Sequence, residues 1–279
     1  MKHALVAVAL AAAALSVQAE HRKDQTFERV LVPVFFAGPG AQGARWATNV
    51  EVLNTGESID LAHAVVGDSV PGGEDEVVCD SERELNTRDG EVVCSNYQHA
   101  AGIILYVPRT APYDDVHISA RVLDLSRTSD RYGTAVPVIW ERDLLTGTMM
   151  LLDIPTGDRR YRAGIRLYDA YQWNTVFTLR FYDMDKVRKG TAATPLLETQ
   201  VTAVWDVDSD SAIRPMRPAF VQIGDLVASY PVLASVQSVA IEITGADTVG
   251  QPDQPEERFY ALGSITNNTT QEVTIVTPK

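Results

Sequence analysis

From residue 28 onward the chain is patterned as β-strands rather than helices. In VHISARVLD, residues 116–124, every second residue from Val116 to Val122 is apolar, and the residues between them are polar. This alternation is typical of a strand with one buried and one solvated face, and it puts His117 on the solvated face. The strongest helical candidate is short, at 224–230, and no amphipathic stretch exceeds about two turns. We therefore predict an all-β fold of antiparallel strands.

The number of strands indicates more than one sandwich. Some fifteen strands are predicted, which exceeds what one β-sandwich normally holds, and the chain carries a weak internal repeat. Residues 116–139 resemble 258–278: each is a strand, a polar turn and a short strand that closes before a proline. Residues 45–65 resemble 160–181, and we interpret each as a hairpin. These matches predict two tandem antiparallel β-sandwich domains, 28–142 and 143–279, with the boundary near 141–149.

The N-terminus has the order of a secretory signal peptide. Lys2 precedes the apolar run 4–17, and Val-Gln-Ala precedes Glu20. This order predicts cleavage after Ala19, so that residues 1–19 are the signal peptide and 20–27 a flexible N-terminus. The apolar run is short for a membrane anchor, and no cysteine lies near the cleavage point to form a lipoprotein. We expect a secreted protein, periplasmic or extracellular, with no membrane insertion after cleavage.

The charge balance excludes some partners. The chain has 37 acidic and 24 basic residues, a formal net charge of −13. An acidic surface repels nucleic acid and anionic lipid. The expected partners are therefore a protein or a glycan at the cell exterior, or other copies of the chain through strand edges.

The two cysteines are expected to form a disulfide. Cys79 and Cys94 are separated by 14 residues, and the signal peptide would deliver them to an oxidising compartment. The polar segment between them contains Asp-Gly, so the bridge would close an exposed hairpin or loop. A loop of this size gives a stabilisation of about 3 kcal/mol in the chain-entropy estimate. A metal site built on these thiolates would lack further ligands at suitable spacing.

Gly-Asp-Ser at 67–69 raises the question of a nucleophile. The block resembles that of GDSL-type esterases, and Asp114 and His117 match their Asp-x-x-His. In those enzymes, however, the serine leads into a helix of an α/β fold, and Pro-Gly-Gly at 71–73 resists helix formation. A turn is the simpler interpretation. We predict no enzyme, and keep a serine esterase using Ser69, Asp114 and His117 as the alternative of a different class.

An acidic stretch offers the only cofactor candidate. Asp206, Asp208 and Asp210 alternate as at the start of a calcium loop. The EF-type pattern requires Gly and Glu where the chain has Ser211 and Arg217, so the full loop is missing. Structural calcium is therefore an open alternative to a solvated turn.

Aromatic residues offer a candidate glycan site. Trp46 and Trp205 lie in alternating strand patterns, as core residues do. Tyr171 and Trp173 lie in a turn-like segment, and are the candidate exposed pair for stacking on a sugar. A glycan-binding module is accordingly the second functional interpretation.

Part of the chain resembles a known class. A glycine is followed by Trp-x-Thr-x-apolar-x-apolar-x-Asn, at Gly43, Trp46, Thr48, Val50, Val52 and Asn54. A second match lies near the C-terminus, at Asn267 and Thr269. This pattern resembles largely uncharacterised secreted bacterial proteins built of tandem immunoglobulin-like β-sandwich domains. The resemblance implies an architecture and carries no activity. We expect a secreted, non-enzymatic structural, adhesive or binding protein.

Overall fold

The chain folds into antiparallel β-sheets with few helices, so the all-β prediction is confirmed. The computed structural model describes residues 27–39, 43–57, 59–66, 82–85, 90–94, 102–127, 133–145, 147–169, 174–191, 194–204, 219–245 and 259–279. The predicted signal peptide lies outside these residues.

The strands fall into a first set, β1 to β10, and a second set, β11 to β18. The first set is β1 (Phe27–Val32), β2 (Ala37–Pro39), β3 (Arg45–Asn54), β4 (Ile59–Val66), β5 (Glu82–Leu85), β6 (Gly90–Cys94), β7 (Gly102–Pro108), β8 (Val116–Asp124), β9 (Thr134–Val136) and β10 (Ile139–Trp140). The second set is β11 (Thr148–Pro155), β12 (Tyr161–Asp169), β13 (Asn174–Asp183), β14 (Leu197–Val204), β15 (Ala219–Ile223), β16 (Ser238–Gly245), β17 (Phe259–Asn267) and β18 (Val273–Val276). Helices α1 (Met184–Arg188) and α2 (Leu226–Ser229) lie between strands, and α2 confirms the predicted helical stretch.

The first set encloses one core between two sheets. One sheet has the order β10-β1-β7-β4-β5, and the other has β2-β3-β8-β9 with β6 also paired to β3. Alternate apolar residues of both sheets point inward, among them Val30, Val50, Ile103, Leu105 and Val122. As predicted, His117 on β8 is exposed.

The second set encloses a separate core. Its eight strands form one hydrogen-bonded sheet in the order β11-β16-β13-β14-β15-β12-β17-β18. Between β14 and β15, however, Val204 and Phe220 are the one pair that joins the described residues. The sheet therefore divides into two layers of four strands, β11-β16-β13-β14 and β15-β12-β17-β18. Residues from both layers, such as Leu151, Leu167 and Ile241, share one core.

The two sets have the same pairing order. In the first set, β1 and β3 to β9 can be numbered one to eight. In this numbering one sheet has the strand order 1-6-3-4, and the other has the order 5-2-7-8. The second set, numbered from β11 to β18, pairs in the same two orders. The weak repeat in the sequence thus corresponds to a repeated topology.

Two of the predicted hairpins are confirmed and two are wrong. β8 pairs with β9 and β17 pairs with β18, as 116–139 and 258–278 predict. In contrast, β3 and β4 lie in different sheets, and β12 and β13 lie in different layers. The segments 45–65 and 160–181 therefore cross the core instead of forming hairpins. Alternation identifies a strand but not its neighbour, because the partner depends on distant residues.

Equivalent turns close the two confirmed hairpins. At the end of β8, Asp124 Oδ1 accepts a hydrogen bond from the Ser126 amide at 3.0 Å. At the end of β17, Asn267 Oδ1 accepts one from the Thr269 amide at 2.9 Å. Both are side-chain turns spanning two residues, for which Asp and Asn are suited. The repeat therefore extends to the turn chemistry.

The two sets contact each other through apolar faces. The outer face of the β10-β1-β7-β4-β5 sheet packs on the outer face of the β15-β12-β17-β18 layer, in a cluster of Leu31, Ile104, Tyr106, Leu144, Tyr168, Tyr260 and Leu262. The Tyr168 hydroxyl and Arg166 Nη1 both donate to the carbonyl of Pro33, the latter at 3.1 Å. Burial raises the pKa of Tyr168 to about 12. The Thr134 hydroxyl of β9 also donates to the Val273 carbonyl of β18, at 3.0 Å, so polar bonds supplement a mainly hydrophobic contact between the sets.

Candidate functional site

The strand ends that flank three connecting segments are neighbours at one end of the second set. Residues 170–173, 205–218 and 246–258 each join a strand of one layer to a strand of the other. Asp169 pairs with both Ala219 and Phe259, and Asn174 pairs with Val204. The strand ends on either side of the three segments are therefore neighbours.

Two sites predicted from sequence belong to these segments. Tyr171 and Trp173 lie in 170–173, and Asp206, Asp208 and Asp210 lie in 205–218, all outside the described residues. Both segments nevertheless start and end on adjoining strand ends. More than thirty residues separate the aromatic pair from the last aspartate along the chain. Their attachment at one end is a consequence of the fold that the sequence did not predict.

A buried carboxylate holds this end together. Asp169, the last residue of β12, is fully buried, and Thr175 on β13 donates its hydroxyl to Asp169 Oδ2. Burying a carboxylate is costly unless it accepts hydrogen bonds, so this bond stabilises the crossing between the layers. The contact spans the residues that carry Tyr171 and Trp173. The bond therefore joins the two strands on either side of 170–173.

Sequence reasoning missed Asp169, although the repeat contains a signal for it. Asn54 ends β3, the strand equivalent to β12, and it too is buried. Its side chain donates to the Glu57 carbonyl at 2.6 Å and accepts from the Gly56 amide at 3.0 Å. A buried polar residue thus ends both β3 and β12, and its side chain bonds to a residue that follows it in the chain. Aligning the two halves strand by strand would have identified the position.

The predicted esterase residues lie along the first set. Asp114 is exposed in a 3-10 helix, Tyr113–Asp115, and His117 is exposed on β8. Ser69 lies outside the described residues, three residues after the end of β4. That end, Val66, pairs with the first residue of β7, whereas Asp114 and His117 follow the last residue of β7. The segment with Ser69 therefore leaves the first set at one end of β7. The segment with Asp114 and His117 begins at the opposite end of that strand.

The cysteines flank two edge strands. Cys94 ends β6 and its backbone pairs with Val50 of β3, while Cys79 lies outside the described residues, before β5. β5 pairs with β4 in one sheet and β6 with β3 in the other, so the segment between the cysteines is not a hairpin. Of the two forms expected for this segment, a hairpin or a loop, the pairing of β5 and β6 with other strands excludes the hairpin and leaves the loop.

The residues that carry the family resemblance have structural roles. Gly43 has a φ of +79°, which favours glycine. Thr48 is buried, and its hydroxyl accepts a hydrogen bond from the Phe36 amide at 3.1 Å. Together with Asn54, these residues shape β3 and the turns at its ends. They bear on architecture and not on chemistry.

No known protein family, no curated protein and no solved structure matches the chain. Among the residues that the structure describes, no three His, Cys, Asp or Glu side chains are grouped as a metal site. In the same part of the chain, no helix is both long and apolar enough to cross a membrane.

Proposed function

We propose that this is a secreted, non-enzymatic binding or structural protein of the cell exterior, and that it binds its partner through the end of the second set to which residues 170–173, 205–218 and 246–258 are attached. Residues 1–19 serve as the signal peptide. The mature chain consists of two tandem immunoglobulin-like β-sandwich domains, 28–142 and 143–279. It belongs with the secreted bacterial proteins whose Trp-x-Thr pattern it resembles.

The observation that carries this proposal is that the strand ends flanking the three connecting segments are neighbours. Two of them are long, 205–218 and 246–258, and both join strands of one rigid scaffold. Binding residues concentrate on loops that a rigid sheet framework positions, as they do at one end of immunoglobulin variable domains. The hydrogen bond between Thr175 and Asp169 provides such a framework at the strand ends that flank 170–173. This arrangement supports a binding role for the end of the second set.

A glycan is the second, more specific candidate. Aromatic rings and carboxylates suit sugar recognition, since rings stack on apolar sugar faces and a calcium ion held by carboxylates could engage hydroxyls. Tyr171 and Trp173 attach next to the segment bearing Asp206, Asp208 and Asp210. This juxtaposition favours a glycan over a protein partner. It also gives calcium a specific role at this end of the second set.

The experiment is binding of the mature chain, residues 20–279, to an array of glycans, in calcium chloride and in EDTA. We expect binding to a subset of glycans that Trp173→Ala abolishes. Tyr161→Ala is the matched control, because Tyr161 is an exposed tyrosine at the opposite end of β12. Equal loss in both variants, or binding that Trp173→Ala leaves unchanged, would reject the glycan site.

Three further outcomes distinguish calcium, a protein partner and hydrolysis. Binding that EDTA removes supports calcium, and Asp208→Asn should then remove it too. If no glycan binds, capture by a protein partner at the same end should still be sensitive to Trp173→Ala. Hydrolysis of a p-nitrophenyl ester that Ser69→Ala abolishes would replace the proposal by the esterase. We expect no such activity, because the segments that contain Ser69 and His117 follow opposite ends of β7.

A further inference from the structure

The segment 140–145, which joins the two sets, is held by both of them. We propose that it is a locked joint, which fixes the orientation of the second set relative to the first and leaves no hinge between them. This inference does not depend on the proposed function. It rests on contacts at each end of the segment.

Glu141 anchors the segment to the first set. Its carboxylate is buried, and it accepts a hydrogen bond from the Arg29 amide at 3.2 Å. The Arg29 guanidinium lies 3.6 Å from Glu141 Oε1, and Arg109 Nη2 lies 3.3 Å from Oε2. One carboxylate thus connects the joint to β1 and to the residue after β7. Backbone pairing of Trp140 with Val30 strengthens the same attachment.

Arg142 provides a second anchor on the same side. Its guanidinium binds Glu28 through two hydrogen bonds, one of them 2.6 Å from Arg142 Nε to Glu28 Oε1. The guanidinium also lies over the ring of Trp140, at 5.1 Å from the ring centroid. A two-pronged pair of this kind fixes orientation as well as distance. The short 3-10 helix Glu141–Asp143 is therefore held to the first set by two of its charged side chains.

The following residues attach to the second set. The Leu145 amide donates to the Phe259 carbonyl at 3.2 Å, and the Phe259 amide donates to the Leu145 carbonyl at 3.0 Å. Leu144 is buried in the apolar cluster between the sets, beside Tyr168 and Tyr260. Within four residues the chain passes from ion pairs with the first set to strand-like pairing with the second. The segment is therefore anchored at both of its ends.

The surroundings of Glu141 explain why the joint should not open partially. A cavity of about 20 Å³ lies between the sets, lined by Arg29, Leu31, Ile104, Ile139, Glu141, Leu144 and Tyr168. This volume admits about one water molecule. A carboxylate pulled away from its arginines would find room for about one water molecule there, so partial opening would leave it poorly hydrated and is disfavoured. The three segments at the end of the second set are then presented at a fixed angle to the first.

The test is amide hydrogen exchange and residual dipolar couplings on the mature chain and on Glu141→Gln, which keeps the shape of the side chain but removes its charge. In the wild type we expect one alignment tensor for both sets and protected Leu145 and Phe259 amides. In Glu141→Gln both amides should exchange about tenfold faster or more, and the tensors of the two sets should diverge. Asp158→Asn, which removes the exposed ion pair of Asp158 with Arg160, is the matched control and should change neither.

Two results would overturn the proposal. One is separate tensors for the two sets in the wild type. The other is a folded Glu141→Gln chain with unchanged exchange and a single tensor. If Glu141→Gln does not fold, Arg142→Ala serves instead, because Arg142 is partly exposed. It should accelerate exchange at Leu145 by a smaller factor, and unchanged exchange there would count against the joint.

Discussion

The two strand sets share one topology but use the same sheet face in opposite ways. In the β10-β1-β7-β4-β5 sheet of the first set, Leu31 on β1 and Ile104 on β7 are paired neighbours, buried against the second set. On the equivalent layer of the second set, Arg180 lies between Glu242 and Glu198 and bonds to both at 2.8 Å. Aliphatic side chains thus dock one face, and a charged row leaves the other in solvent.

This difference shows why one outer sheet face docks on the other set and the equivalent face of the second set does not. The apolar sheet of the first set accepts the second set, whereas the described residues of the charged layer in the second set offer no comparable apolar surface to a third. Large exposed apolar faces promote association, and a row of charges opposes it. Pairing order and packing are therefore specified separately: alternation forms the layers, and the identity of outward residues decides which layers meet.

The connections differ as well. The segments that join β3 to β4, β5 to β6 and β7 to β8 in the first set have four, four and seven residues, at 55–58, 86–89 and 109–115. The equivalent segments of the second set have four, fourteen and thirteen. The first set thus serves as the docked base, and the second carries the long segments on which we place binding.

Reversing the docked face should have the largest effect. Ile104→Glu places a carboxylate in the buried cluster between the sets, without a partner. We expect a loss of about 3 to 5 kcal/mol in the free energy of unfolding, as for other unpaired buried charges. Urea denaturation followed by circular dichroism measures the loss. An unchanged midpoint would show that the two sets are not docked through this face.

The cysteines should stabilise the first set alone. If Cys79 and Cys94 form a disulfide, Cys94→Ser removes about 3 kcal/mol by the chain-entropy estimate. Because both cysteines flank β5 and β6, amide exchange should accelerate in the first core and not in the second. Two free thiols titrated in protein purified without reductant would contradict the pairing.

Alkaline pH should weaken the contact between the sets. The pKa of Tyr168 is about 12 in the folded chain because the hydroxyl is buried, against about 10 for an exposed tyrosine. A raised folded pKa favours the neutral form, so this stabilisation is complete below about pH 10 and is lost as the pH rises through about 12. The shift corresponds to about 2 to 3 kcal/mol. Burial raises the pKa of Tyr260 in the same direction.

The measurement is the urea midpoint across this range. Tyr168→Phe keeps the ring but has no hydroxyl to ionise, so its midpoint should fall less steeply than that of the wild type. Parallel curves would mean that Tyr168 does not contribute to the alkaline transition.

Local patterns predicted the strands, while contacts between distant residues decided their partners. The hairpin at 116–139 could be predicted, because both strands and their turn lie within one short segment. The crossing from β3 to β4 could not, since β4 pairs with residues twenty or more positions away, on β5 and β7. The same limit applies to the candidate site. Residue type suggested Tyr171 and Trp173 as candidates, but the burial of Asp169 depends on Thr175 across the crossing.

The smallest change in stability, and the sharpest test of the comparison, should come from Glu242→Ile. Arg180 keeps its bond to Glu198, and Glu242 is partly exposed, so we expect the free energy of unfolding to change by about 1 kcal/mol or less. The new isoleucine would lie beside Met150, its partner on β11, and extend an apolar row like that of Leu31 and Ile104. Sedimentation velocity should then show self-association that increases with concentration. Glu242→Gln, which removes the charge but keeps a polar amide, should stay monomeric under the same conditions. If Glu242→Ile also stays monomeric, the charged row is not what ends the stacking, and shape rather than polarity must separate the docked face from the free one.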